Sequence, residues 1–150
     1  MTLETDIGCL KRLPLFDSLP APRLKLVALM GEKLSFAADT QIIAAGEEPD
    51  SVYIVMEGEV VIGHGGTEGN GKRFLMATGS IIGDVPMLCG QHYVGEVTAK
   101  TDVIALRLPR DLFFELLETI PDFGLALSRD LASRLYRLAA FVLNEEEAPT

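Results

Sequence analysis

The run Gly83-Asp84-Val85-Pro86-Met87-Leu88-Cys89-Gly90-Gln91-His92-Tyr93-Val94 brings a carboxylate, a thiol, an imidazole and a phenol close together in sequence. Such groups bind ligands by hydrogen bonding and stacking. They make a poor catalytic set, because a reaction needs a nucleophile, its base and an orienting group in mutual reach. The chain has no G-x-S-x-G, no H-E-x-x-H and no P-loop. Its two histidines, His64 and His92, and its scattered carboxylates do not assemble one either. Binding is therefore expected, not catalysis. Asp84 reads equally as a ligand contact and as the cap of a short helix, since Asp is a favoured N-cap. His92 and Tyr93 either touch a ligand or close a loop. Cys9 and Cys89 show no C-x-x-C or zinc spacing, so two reduced thiols and no metal site are expected.

Charge narrows the partners. The formal net charge is -9. Nucleic-acid affinity rests on Lys and Arg neutralising phosphates, and anionic membranes attract the same residues. The densest basic pairs are Lys11-Arg12 and Lys72-Arg73, so neither nucleic acid nor membrane is an expected partner. The start, Met1-Thr2-Leu3-Glu4-Thr5-Asp6, is acidic where a signal peptide is basic. No window approaches the roughly 18 apolar residues of a membrane helix. A cytoplasmic protein is expected. At 150 residues the chain is sized for one domain over positions 1–150.

The elements that must position these groups follow from periodicity. Helices are expected within positions 5–36, at Thr5–Lys11 and Pro22–Phe36, where Leu24, Val27, Leu29, Met30 and Leu34 fall near helical spacing. Phe16 and Leu19 read as apolar plugs between them. From 36 to 109 short runs rich in Val, Ile, Tyr and Phe alternate with Gly, Asp, Asn and Pro, the pattern of an antiparallel sandwich or barrel. Strands are expected at Thr40–Ala44, Ser51–Glu57, Glu59–Gly63, Lys72–Met76, Tyr93–Ala99 and Val103–Pro109. The Gly63–Gly71 loop, which holds His64, is expected to be exposed and tolerant of change. Helical period returns at Arg110–Thr119 and from Pro121 to Asn144, followed by an acidic tail at 145–150. The fold class is mainly β with flanking helices: an antiparallel β-roll, or jelly-roll barrel, with N-terminal helices and a long C-terminal helix.

Two stretches carry a resemblance. Gly46-Glu47-Glu48-Pro49-Asp50-Ser51-Val52-Tyr53-Ile54-Val55-Met56-Glu57-Gly58-Glu59-Val60 and the run from Gly83 to Val94, continuing to Val103, resemble the cyclic nucleotide-binding domain family of catabolite activators and kinase regulatory subunits. The likeness extends from Leu10 to Leu138. It implies a ligand seat at Gly83, Asp84, Val85, Met87, Tyr93 and Val94. In the family pattern the cyclic phosphate rests on the amides of a short helix and on one Arg, and a Glu takes the ribose 2′-hydroxyl. Here Asp84 stands at the Glu position, Pro86 removes one amide donor, and Tyr93 stands at the Arg position. A charge-assisted hydrogen bond is worth about 1.5–3 kcal/mol, which is roughly a ten- to more than hundredfold change in affinity. Binding of cyclic AMP or cyclic GMP is therefore expected to be weak or lost.

The resemblance implies a sensor or regulatory module in which the last helix moves over the Gly83–Val94 seat and a downstream protein reads that movement. The alternative is a degenerate dimerisation or protein-interaction module without a nucleotide. A remote third, a haem or redox sensor, would draw on Met87, Cys89 and His92. A homodimer is expected through the last helix, along Leu127, Leu131, Leu135, Leu138 and Val142. Ala132, Tyr136, Ala139 and Leu143 form a second apolar stripe, and a helix apolar on two faces needs two coverings.

Overall fold

The computed structural model describes residues 3–65 and 71–144. The centre of the Gly-rich loop and the acidic tail at 145–150 lie outside them. The elements run α1 (Leu3–Lys11), α2 (Ala21–Met30), β1 (Glu32–Phe36), β2 (Gln41–Ile43), β3 (Ser51–Glu57), β4 (Val60–Gly63), β5 (Phe74–Met76), β6 (Ile81–Ile82), α3 (Asp84–Cys89), β7 (Glu96–Ala99), β8 (Val103–Pro109), α4 (Arg110–Thr119) and α5 (Pro121–Asn144).

Two antiparallel sheets form the roll, one in the order β1-β8-β3-β6 and the other β2-β7-β4-β5. The first is covered on both faces, and the two-residue period of its strands shows how. Val52 and Ile54 of β3, Leu106 and Leu108 of β8 and Ile81 of β6 join the helices in one core. The alternate residues Val55, Val103, Ala105 and Ile82 join Ile43, Val60, Val97 and Ala99 of the second sheet in the other. The helix-side core is closed by Phe16, Phe113 and Phe123, all fully buried. Phe16 and Phe123 pack with ring centroids 5.7 Å apart, so the segment after α1 is pinned to the start of α5.

Three expectations are corrected. The helix expected over Pro22–Phe36 ends at Met30, and Glu32–Phe36 is a strand paired with β8, Glu32 facing Arg107 and Phe36 facing Val103. Helical spacing of Leu34 was local, and the ladder hydrogen bonds offered by β8 outweigh it. The strand expected from Tyr93 starts only at Glu96. Tyr93 instead spends its backbone on the β2–β3 connection: its N–H donates to Glu47 O at 3.0 Å and its carbonyl accepts from Gly46 N–H at 2.8 Å. The strand expected over Lys72–Met76 begins only at Phe74. Ser51–Glu57, Val103–Pro109 and Arg110–Thr119 stand where periodicity puts them.

Candidate ligand-binding site

The site grows from the turn between β6 and α3. Gly83 caps α3 with φ 97°, a left-handed conformation open to glycine at little cost. That turn sends the first residue of the helix, Asp84, inward, where it is 1% exposed. On the opposite wall Tyr93 is also buried, within the roll-side core. The two walls touch: a methyl group placed on Gly83 would lie 2.3 Å from the Tyr93 hydroxyl. Among the described residues that hydroxyl has no hydrogen-bond partner. Burial pushes the Tyr93 phenol well above the ordinary tyrosine range, helped by the nearby Tyr53, Glu47 and Asp84.

The structure brings Gly83, Asp84 and Tyr93 together and leaves the other expected site residues aside. Met87 is buried, but in the helix-side core. Val85 is half-exposed and Val94 is 89% exposed, so neither lines the roll interior. Met87, Cys89 and His92 do not converge, since Met87 is buried while Cys89 and His92 are exposed. His92 Nε2 lies 3.3 Å from Glu48 Oε1. The roll interior, between Ile43, Tyr53, Val60, Ile82 and Val97, keeps a void of about 10 Å³, room for one water at most.

Two arginines reach this region that the local sequence does not reveal. Arg107, opposite Tyr53 in the β3–β8 ladder, donates to Ser51 Oγ at 2.7 Å, to Glu32 Oε1 at 3.2 Å and to Asp50 at 3.4 Å. The Ser51 hydroxyl bond, and then Arg107, hold the Asp50 carboxyl below its usual range against slight burial. Arg134 of α5 donates to Asp84 Oδ2 at 2.5 Å and also lies 2.8 Å from Asp130 Oδ2. Its Nε, buried, has no hydrogen-bond partner among the described residues. Both guanidiniums are thus held by carboxylates. The signal for Arg134 is a separation of fifty residues from Asp84, which only the packing of α5 closes.

Among the described residues no group of three or more His, Cys, Asp or Glu side chains is placed to hold a metal ion. No helix there is long and apolar enough to cross a membrane.

A roll of two antiparallel sheets, broken by a short helix behind a left-handed glycine and flanked by a long terminal helix, defines a regulatory, ligand-sensing domain. The family model for the cyclic nucleotide-binding domain matches residues 33–120, and the chain belongs to that family. It is 32% identical over 114 residues to a cAMP-dependent protein kinase regulatory subunit of Aspergillus niger, covering 75% of this chain and 27% of that protein. It is 29% identical over 130 residues to an uncharacterized NTE family protein of Mycobacterium tuberculosis, covering 84% of this chain and 21% of that protein. The chain thus spans about a quarter of the curated relatives' length. Among solved structures it is similar to the regulatory subunit of a cAMP-independent protein kinase A from Trypanosoma cruzi bound to guanosine. That likeness has 28% identity and a TM-score of 0.70 over 92% of this chain and 50% of that one.

Proposed function

We propose that this domain is a regulatory module whose pocket has lost strong affinity for cyclic nucleotides and whose output passes through α5 to a partner protein. The observation that carries the reading is Tyr93, which is buried against Gly83 and stands where the resemblance puts the phosphate-binding arginine. A phenol supplies no positive charge, and Arg107 and Arg134 are already engaged by carboxylates. A phosphodiester would enter a nearly filled interior beside buried Asp84, with both nearby guanidiniums already paired, which is costly. The cAMP-independent relative bound to guanosine supports a ligand of the phosphate-free nucleoside class.

A second feature bears on the partner. Leu135, Tyr136, Leu138, Val142 and Leu143 of α5 are exposed, Leu143 to 82%. A second copy of the chain, packing helix on helix, would cover that face. Leu127 is buried in the chain's own core and Leu131 packs against it, so of the expected stripe Leu135, Leu138 and Val142 are the residues open to a second copy.

Titration calorimetry with cyclic AMP, cyclic GMP and guanosine tests the pocket. Weak or absent heat with both cyclic nucleotides is expected, and at least a tenfold gain for cyclic AMP in Tyr93→Arg. Submicromolar affinity of the unmodified protein for cyclic AMP would overturn the reading.

A further inference from the structure

On the helix side of the first sheet, an open cleft of about 500 Å³ runs between the segment after α1 and the first turns of α5. That volume lies in the range of binding pockets. Its floor is apolar and fixed: Leu15 is 6% exposed and Ile81 2%. Ile81 faces the helix-side core and its neighbour Ile82 the roll-side core. The cleft and the Gly83–Tyr93 region therefore lie on opposite faces of the sheet. The two long walls are clamped together by the Phe16–Phe123 ring pair. Turn bonds hold the wall on the α1 side, where Phe16 N–H and Asp17 N–H donate to Leu13 O at 2.9 and 3.0 Å. A cleft built this way is formed before anything enters it, so little ordering opposes binding there.

The α5 wall is one helix face. Asp122, Ala126 and Asp130 recur every four residues, with Leu125 and Arg129 beside them, the spacing that sets helical side chains in a row. Leu125 is a large aliphatic side chain left 50% exposed. From Asp122 to Asp130 the rise is about 12 Å at 1.5 Å per residue, the reach of three or four extended residues. Asp130 is taken by Arg134 at 2.8 Å. Asp122 and Asp17, on the two walls, are exposed and have no ion pair among the described residues. Asp122 also suits the helix dipole, being in the first turn of α5. Asp17 lies in the turn region between α1 and α2 and has no such role.

We propose that this cleft docks a short extended segment of a partner protein, one that carries Lys or Arg beside an aliphatic side chain. The aliphatic side chain fills the space above Leu15 and Ile81 and covers Leu125, removing apolar surface from water. The cation answers Asp17 and Asp122, which leave the rim negative with Arg129 counted and Asp130 neutralised by Arg134. Arg129 is placed to donate to backbone carbonyls of the segment. The chain's net charge of -9 steers the same cation inward. An acidic segment would set its carboxylates against Asp17 and Asp122. The inference does not depend on what the Gly83–Tyr93 region binds.

A library of displayed random heptapeptides, panned on the whole chain, tests this, and the selected peptides are then titrated into isotope-labelled protein followed by NMR. Peptides that pair Lys or Arg with Leu, Ile or Val should be enriched. Their binding should shift amides at 14–18, 79–81 and 122–130 and leave those at 93–99 in place. Affinity should fall about fivefold in the double variant Asp17→Asn, Asp122→Asn, as expected for two exposed ion pairs, and by a similar factor in Leu125→Ser. Raised salt should weaken binding to the unmodified protein. The three side chains are exposed, so these variants should keep the melting temperature of the unmodified protein. If the double variant does not fold, Asp17→Asn alone gives the same reading at about twofold. Enrichment of no peptide, enrichment of acidic peptides, or shifts centred elsewhere overturns the proposal. So does undiminished affinity in the folded variants. Shifts at 14–18 and 122–130 that grow with protein concentration in the absence of peptide would make the occupant a second copy, and overturn it as well.

Discussion

The hydroxyl of Tyr93 stands 2.3 Å from where a Gly83 methyl group would be, with Ser51 O at 3.0 Å from the same point. Glycine at 83 is thus required twice, by φ 97° and by the approach of Tyr93. Gly83→Ala is expected to destabilise the fold by about 2 kcal/mol or more. In a Tyr93→Phe background, where the clashing oxygen is gone, the loss should shrink by at least about 0.5 kcal/mol, the coupling typical of residues in contact. Urea unfolding of the four proteins measures it, and strict additivity would refute the contact.

Tyr93→Phe alone should leave stability unchanged or raise it by about 1 kcal/mol, because it removes a buried hydroxyl that has no partner among the described residues. A clear loss of stability in urea would show that the hydroxyl is bonded in solution.

Alkaline pH gives a third prediction. The folded chain holds the Tyr93 proton above the ordinary value of 10, chiefly through burial. The unfolded chain releases its own proton near 10, so it binds fewer protons than the folded chain above that pH. The contribution is complete below that value and is lost as pH rises. Unfolding midpoints should therefore fall above about pH 10, and fall less steeply in Tyr93→Phe. Tyr53, also raised mainly by burial, accounts for part of the residual slope. Identical slopes in the two proteins would count against a protected phenol.

Gly58 turns the β3–β4 hairpin at φ 95°, and a methyl there would lie 2.3 Å from the Asp102 carbonyl. Gly58→Ala is expected to cost about 2–3 kcal/mol, combining left-handed strain with a backbone clash. Since the proposed seat at Gly83 and Tyr93 lies elsewhere, calorimetric affinity for any ligand should hold under conditions where the variant is folded. A melting temperature equal to that of the unmodified protein would contradict this account.

The exposed stripe of α5 yields the last prediction. Leu135→Glu and Val142→Glu should convert a homodimer to monomers in light scattering at micromolar concentration, with little change in melting temperature. Leu131→Glu differs, because Leu131 packs against the helix-side core, and it should lower the melting temperature as well. A monomeric unmodified protein would end the homodimer reading.

The architecture was legible because it rests on local rules. Ser51–Glu57 and Val103–Pro109 declare themselves by β-branched residues bounded by turn formers, and α4 and α5 by helical period and by Pro121 in the first turn. The two-residue Ile81–Ile82 strand was too short to show a period. Glu32–Phe36 was misread because its ladder partner, β8, lies some seventy positions on, and a window of neighbouring residues contains no such pairing.

For the site, the sequence by itself determined which groups stand in the turn: Gly83 and Asp84 at the mouth of a short helix, and Tyr93 where resemblance places an arginine. Side-chain type and backbone preference are local properties, so they survive without coordinates. Only the tertiary structure decided where those groups point and what meets them. It turned Val85 away from the roll and Met87 into the other core, because a short helix shows its faces to different layers, and it left Val94 exposed in the connection before β7. It set the Tyr93 hydroxyl against Gly83. It also carried Arg134 to Asp84 across fifty positions, because the packing of Phe123 and Leu127 fixes the direction of α5, and a rigid helix then delivers everything beyond them.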